Sequence, residues 1–144
     1  HEKPPRGESA EAWWRDKRYS SFKGAAAEHN LPVIIAHQLD DCVEEYVLCT
    51  MVRGYMGTIP YSNGPCIRPF RLWKRGHIED YARRKGVPYL TDPSNNELRY
   101  KRNYVRRLVL PRLRNLNPGI HRVVENFIEQ TDAMRHLEEG TGSE

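Results

Sequence analysis

A chain of 144 residues is long enough for one domain with a hydrophobic core of its own. Its hydrophobic content of 38%, its mean hydropathy of −0.80 and its short apolar runs argue against any membrane-spanning helix. Three cysteines, Cys42, Cys49 and Cys66, are never spaced as CxxC, which argues against a zinc ribbon, an iron–sulfur site or a secreted disulfide framework and for a reducing, cytoplasmic setting.

The chain opens His1-Glu2-Lys3-Pro4-Pro5 with no initiator methionine, so a processed, partial or trimmed chain is expected. From Ser9, available as N-cap, to His29 the spacing predicts a helix with Ala12, Arg15, Tyr19, Phe22 and Ala26 on one stripe. Its aromatic residues Trp13, Trp14, Tyr19 and Phe22 read as packing groups rather than as a base-stacking platform. Asn30 and Pro32 punctuate the chain. The run Val33-Ile34-Ile35-Ala36 then reads as a buried strand ending in His37.

A helix is expected to begin near Leu39 with Asp40 at or near its N-cap, so that Asp40, Asp41 and Glu44 occupy neighbouring positions close to His37. Carboxylates at a helix N-terminus are held ionised by the macrodipole, ready for Mg²⁺ or an ammonium group. Open α/β sheets bind ligands outside the carboxyl ends of their strands, where this turn falls. An acidic capping turn beside a strand-end histidine would have the same letters. Cys42 has no histidine at a catalytic spacing and is read as passive.

The helix is expected to continue through Tyr46, Val47, Leu48, Met51 and Val52, an apolar surface suited to a sheet, and to stop near Arg53-Gly54. Residues 54–65 read as a glycine- and proline-rich loop without the P-loop pattern. Cys66 to Phe70 suggests a short strand closed by Pro69. Residues 74–85 predict a helix capped by Gly86, and Val87-Pro88-Tyr89-Leu90 a short edge strand or extended piece. Asp92-Pro93-Ser94-Asn95 has turn chemistry. Residues 103–117 predict a helix with Val105, Leu108, Val109, Leu113 and Leu116 on one side, kinked or divided at Pro111. After Pro118-Gly119, residues 120–138 predict an amphipathic helix carrying Val123, Val124, Phe127, Ile128 and Met134, followed by a frayed end.

Two rounds of strand and helix point to an α/β fold, a partial doubly wound parallel sheet flanked by helices. The boundary is placed near Asn117 to Gly119. Residues 1–117 would then form the α/β domain, and residues 118–144 a C-terminal connecting helix or the start of a further domain.

The formal charge of +4 hides an asymmetry. Residues 31–67 carry one Lys/Arg against four Asp/Glu, residues 68–122 fifteen against four, and residues 123–144 one against six. Such a basic segment is the footprint of a polyphosphate partner, RNA above all. Its candidate RNA contacts are Arg68, Arg71, Arg99, Lys101, Arg102 and Arg107.

Read in order, these pieces resemble the N-terminal domain of the bacterial tRNA(Ile)-lysidine synthetases, a branch of the PP-loop ATP pyrophosphatase superfamily with an adenine nucleotide alpha-hydrolase-like fold. The likeness runs from about Glu8 to about Asn126. His37 to Glu44 is similar to the family's HHxDDxxE, Arg53-Gly54 to its RG, Arg68-Pro69 to its RP, Asp92 to Asn95 to its DxSN, and Arg102 to Arg106 to its RNxxR, followed by Leu110-Pro111. Arg15 and Arg18-Tyr19 fit an upstream RxxRY more loosely. Gln38 replaces the second histidine of HHxDD, Cys42 replaces a common glutamine, and the family's SGGxDS loop is not found in the 144 residues.

The resemblance implies a cytoplasmic ligase that adenylates the C2 oxygen of the wobble cytidine with ATP and lets the lysine amine displace AMP. It implies ATP and Mg²⁺ as cofactors, with free L-lysine and tRNA(Ile) bearing the CAU anticodon as partners, no membrane, and a homodimer left open. By position, His37, Asp40, Asp41, Glu44, Arg102 and Arg106 would be catalytic. Asp40 and Asp41 would hold Mg²⁺, His37 and Asp41 would face the nucleotide, and the arginines would take the phosphate and leaving-group side. The alternative is a shortened, inactive relative that binds RNA. A related tRNA thiolase is disfavoured by the lack of paired cysteines.

Overall fold

Helical spacing at Tyr19, Phe22 and Ala26 sets the first element of the computed structural model, which describes residues 4–7, 10–90 and 97–140. Helix α1 spans Ala10–His29, and the Ser9 cap and the Asp92 to Asn95 turn lie outside the described residues. Of the expected stripe, Ala26 is buried and Tyr19 and Phe22 are half-buried, whereas Ala12 and Arg15 face solvent. Tyr19 and Phe22 meet edge to face at 5.7 Å. Asn30 ends the helix in the left-handed region at φ 50°, a conformation asparagine tolerates better than most residues, and the Leu31 amide returns to the Ala26 carbonyl.

The chain forms two compact units, residues 1–36 with 61–69 and residues 37–60 with 70–144. The first holds α1 and a three-stranded sheet whose middle strand is the last in sequence. Strand β1, Val33–Ile34, runs parallel to β3, Cys66–Ile67, in the register Val33 opposite Cys66. Strand β2, Ser62–Asn63, pairs antiparallel with β3. The expected 54–65 loop therefore holds the first strand and the turn of a hairpin, turned at Gly64-Pro65 with Gly64 at φ 56°. The parallel pair fits the expected α/β fold, and β2 adds an antiparallel edge. Val87 to Leu90, in the second unit, forms no regular element and joins no sheet among the described residues.

The second unit is built on α2, Leu39–Leu48. Leu39, Cys42, Val43, Val47 and Leu48 are buried in one core with Ile59, Val105, Leu110, Val124 and Ile128. Full burial of an aliphatic side chain is worth about 1.5–3 kcal/mol, so the α2 face alone commits this helix to its neighbours. Within this unit those neighbours come mainly from the downstream helical segments, with Ile59 from the 54–65 loop. Val124 and Ile128 come from α6, Ile120–Gly140, whose Phe127 packs edge to face on Tyr46 at 5.2 Å.

Both chain segments that flank the core change pitch. Helix α2 passes into a π-helical turn, Cys49–Arg53, closed by Gly54 at φ 75°. Thr50 bonds back to the Tyr46 carbonyl at 2.7 Å, and Met51 and Val52 turn outward, 74% and 55% exposed, instead of continuing the apolar face. Downstream, α4 (Lys101–Tyr104), a second π-helical turn (Val105–Val109) and α5 (Leu110–Leu116) form one continuous rod. The division expected at Pro111 thus falls just before it. Proline has no amide to donate and crowds the carbonyl four residues back, and a widened turn accommodates both. Helix α3, Arg75–Lys85, ends at Gly86 in the left-handed region, φ 63°, as its sequence predicts.

Candidate active site

The turn that opens α2 is tied first to itself. Gln38, in extended conformation, is the N-cap: its Oε1 accepts from the Asp40 amide at 2.7 Å, and its own amide donates to Asp41 Oδ2 at 3.1 Å. This reciprocal capping box moves the cap two residues ahead of the expected Asp40 and frees the Asp40 carboxylate for other work. Gln38 is 6% exposed, and its Nε2 has no acceptor among the described residues.

The two adjacent aspartates then face different partners. Asp40 Oδ2 accepts from the Arg75 amide at 2.9 Å, and Oδ1 meets Arg114 Nη2 and His121 Nε2, each at 3.1 Å. Burial opposes its ionisation, but the His121 and Arg75 hydrogen bonds and the charges of His121 and Arg114 outweigh it and hold Asp40 well below the usual carboxylate range. Asp41 offers Oδ1 to Arg106 Nη2 at 3.3 Å.

Glu44, 1% exposed, accepts two hydrogen bonds from one edge of the same guanidinium: Arg106 Nε at 2.5 Å on Oε1 and Nη2 at 3.0 Å on Oε2. Burial pushes its carboxyl up from its ordinary value, against the pull of Arg106 and Arg102. Arg102 lies with Nε 3.4 Å from Glu44 and donates from Nη2 to Glu45 at 3.3 Å. Glu45 also pairs with Arg53; burial works against its charge, but Arg53 and Arg102 keep it below its ordinary value.

The arginines thus read the acidic line of α2 in reverse. Arg102 meets Glu45 and Glu44, Arg106 meets Glu44 and Asp41, and Arg114 meets Asp40. Arg53, Arg75, Arg114 and His121 were not among the predicted site residues. Arg53 stood in the RG pair, and Arg114 follows Arg106 by two helical turns, a spacing that was readable. Nothing local marks Arg75, which contributes only its amide, or His121. Asn103, also missed, is buried and donates to the Glu97 carbonyl at 3.0 Å, fixing the start of the arginine-bearing rod. His37 is half-buried and immediately precedes the cap.

The four carboxylates Asp40, Asp41, Glu44 and Glu45 are matched by the guanidiniums of Arg53, Arg102, Arg106 and Arg114. A magnesium ion needs several oxygens converging on one point in a near-octahedral set. Here Asp40 and Asp41 are turned to different donors, and no group of three or more His, Cys, Asp or Glu side chains among the described residues could hold a metal. Asp40 and Asp41 form no metal cage of their own, and Mg²⁺ at this turn would need further oxygens, such as those of a substrate phosphate, to complete its shell. The donor set suits cations of the guanidinium or ammonium kind.

The expected RNA contacts divide by exposure. Arg68 is 1% exposed and donates to the Tyr19 hydroxyl at 2.9 Å within the first unit. Arg71 is 5% exposed, pairs with Asp132 and donates to the Ile59 carbonyl. Arg99, Lys101 and Arg107 are exposed, with Arg99 lying over the Tyr100 ring at 4.9 Å. Cys42 is buried beside the Arg71 carbonyl, and burial raises its thiol to about 11, away from nucleophilic use. No helix among the described residues is long and apolar enough to cross a membrane.

The chain is 34% identical over 140 residues to a tRNA(Ile)-lysidine synthase of Thermotoga sp. (strain RQ2), covering 94% of this chain and 34% of the relative. It is 32% identical over 140 residues to that of Thermotoga maritima, with the same coverage, and 30% identical over 129 residues to that of Francisella philomiragia, covering 83% of this chain and 32% of the relative. The chain thus spans about a third of the length of these relatives. Residues 1–113 match the model of the PP-loop domain, and with most of its length so matched, the chain belongs to the PP-loop domain family.

Proposed function

We propose that the protein carrying this chain is an ATP-dependent ligase that joins free L-lysine to C2 of the wobble cytidine of tRNA(Ile). The C2 oxygen takes the adenylyl group of ATP with loss of pyrophosphate; the lysine amine then attacks C2, and AMP leaves with that oxygen. What supports the reading best is the meeting of two motifs from distant parts of the chain: Arg106, with Arg102 beside it, against Asp41 and Glu44.

In this reading Asp41 and Glu44 provide the negative charge that receives the lysine ammonium, with Arg102 and Arg106 sharing those carboxylates. A guanidinium shared in this way is within reach to turn toward the departing phosphate, where its planar fork binds two oxygens at once. His37 stands at the entry to the same turn and is assigned proton transfer or charge stabilisation during adenylation. Arg99, Lys101 and Arg107, exposed around the start of the arginine rod, are assigned to the tRNA backbone, and Arg102 joins them from the site side.

The test is nucleoside analysis of tRNA(Ile) bearing CAU after incubation of the whole protein with ATP and lysine, together with AMP release. Lysidine and lysine-dependent AMP are expected, and both should fall by about 100-fold or more in Glu44→Ala and Arg106→Ala. Salt-sensitive tRNA binding with no lysidine and no AMP overturns the reading in favour of an RNA-binding relative.

A further inference from the structure

Asp40 is one of the two carboxylates expected to bind metal, yet all its visible partners are donors from other elements of its own unit. The Arg75 amide begins α3, Arg114 lies on α5 and His121 on the first turn of α6. A carboxylate has about four lone-pair sites, and three are met here. Arg114 and His121 already fill Oδ1, which leaves a metal only the one remaining site on Oδ2. We infer that Asp40 is a positioning residue, a cap and anchor supplied by one helix to three others, and that its neighbour Asp41 alone of the pair faces substrate.

Helix α3 shows why such a cap is needed. Its own N-cap residue, Lys74, makes no side-chain cap hydrogen bond, and none of its residues is fully buried. Its first amide is met instead by Asp40, and the preceding turn is held by the Leu39 amide on the Trp73 carbonyl at 2.8 Å. An anionic oxygen at a helix N-terminus satisfies an otherwise orphaned donor and complements the helix dipole. Asp40 therefore gives α3 the start that its own sequence does not encode.

The second role concerns the arginine rod. Arg114 lies eight residues beyond Arg106, about two turns along the same rod. Asp40 grips the far end while Asp41 and Glu44 grip Arg106, so the rod is fixed at two points and cannot roll about its axis without breaking one of them. His121 ties α6 to the same carboxylate. Asp40 thereby sets where the Arg106 guanidinium stands without needing to touch substrate.

This inference rests on the proposed ligase reading for its kinetic part and on geometry alone for the rest. Asp40→Asn, Asp40→Ala and Asp41→Asn are compared with wild type in the whole protein. The readouts are lysidine formation against lysine and Mg²⁺ concentration, and amide exchange along residues 75–78. The asparagine carbonyl can still accept from the Arg75 amide but loses its charge for Arg114 and His121. In Asp40→Asn, kcat should fall about 10- to 100-fold while the lysine KM and the Mg²⁺ half-saturation stay within about twofold. Asp40→Ala should fall further and expose 75–78 to fast exchange, which Asp40→Asn should largely restore. Asp41→Asn should raise the lysine KM and leave that exchange unchanged.

A rise of about tenfold or more in Mg²⁺ half-saturation for Asp40→Asn, with kcat recovered at saturating metal, overturns the inference. So does unchanged exchange at 75–78 in Asp40→Ala. If the wild-type protein makes no lysidine, the ligase reading fails, while the exchange data still decide whether Asp40 caps α3.

Discussion

Arg106 holds Glu44 with both of its facing nitrogens, at 2.5 and 3.0 Å, across 62 positions of sequence. Because Glu44 is 1% exposed, the value of this pair lies less in its attraction than in what either group would suffer alone. Arg106→Ala leaves a buried carboxylate with only the longer Arg102 contact, and the expected loss is about 3 kcal/mol of folding stability. Arg106→Lys should recover only part of it, since an ammonium cannot reproduce the forked contact. In urea unfolding, the double variant Glu44→Ala with Arg106→Ala should be no less stable than Arg106→Ala alone; additive losses would contradict this.

Asp40 carries a pH signature. Its folded-state value lies below the ordinary 3.8, so its charge contributes stability that is fully present above that value and is lost as pH falls below it. The stability gap between wild type and Asp40→Asn should therefore not shrink between about pH 7 and about pH 5 and should close only below about pH 4. Denaturation midpoints across that series check it, and a gap already closing between pH 7 and 5 would assign the contribution to another group.

Exposure separates the basic residues into two behaviours. Arg68→Ala and Arg71→Ala remove buried guanidiniums that bond Tyr19 and pair with Asp132, and should lower the melting temperature. Arg99→Glu, Lys101→Glu and Arg107→Glu should leave melting nearly unchanged and weaken tRNA binding, each lost phosphate contact reducing the salt slope by about one. Filter binding at several salt concentrations distinguishes the two sets.

The thiols should be silent in the native state. Cys42, Cys49 and Cys66 are all buried, and burial raises the Cys42 thiol to about 11. Modification by an aromatic disulfide reagent near pH 8 should be slow without denaturant and rise in step with unfolding. Rapid labelling of one equivalent in native protein would place a reactive thiolate where the structure shows an inert one.

The residues that announced themselves in the sequence were those with local signals. α1, α3 and α6 follow helical periodicity, Gly86 caps α3, and the acidic and arginine motifs identified both halves of the Arg106 contact. The hairpin turn at Gly64-Pro65 places glycine first, as a tight turn allows, but it sits among other glycines and prolines that read together as loop. The Gln38 cap escaped because glutamine is not among the preferred capping residues, and its reciprocal partner Asp41 read as a ligand. The convergence of Arg75, Arg114 and His121 on Asp40 spans 35 to 81 positions and depends on packing that no local pattern encodes. Val87 to Leu90 has strand-like letters but joins no strand among the described residues.

The π-helical turn at Val105–Val109 has a consequence for how this segment can vary. A turn of this kind holds one residue more than an α-helical turn, so it sets the angular offset between Arg102, on one side of it, and the buried Leu110 on the other. Many substitutions within 105–109 would preserve that offset. Removing a single residue there would restore ordinary pitch and swing everything upstream by about 100°, carrying Arg102 and Asn103 off their partners while Leu110 stayed in the core. The spacing between guanidinium and core is thus written as a residue count, and length, more than composition, is what this stretch must keep.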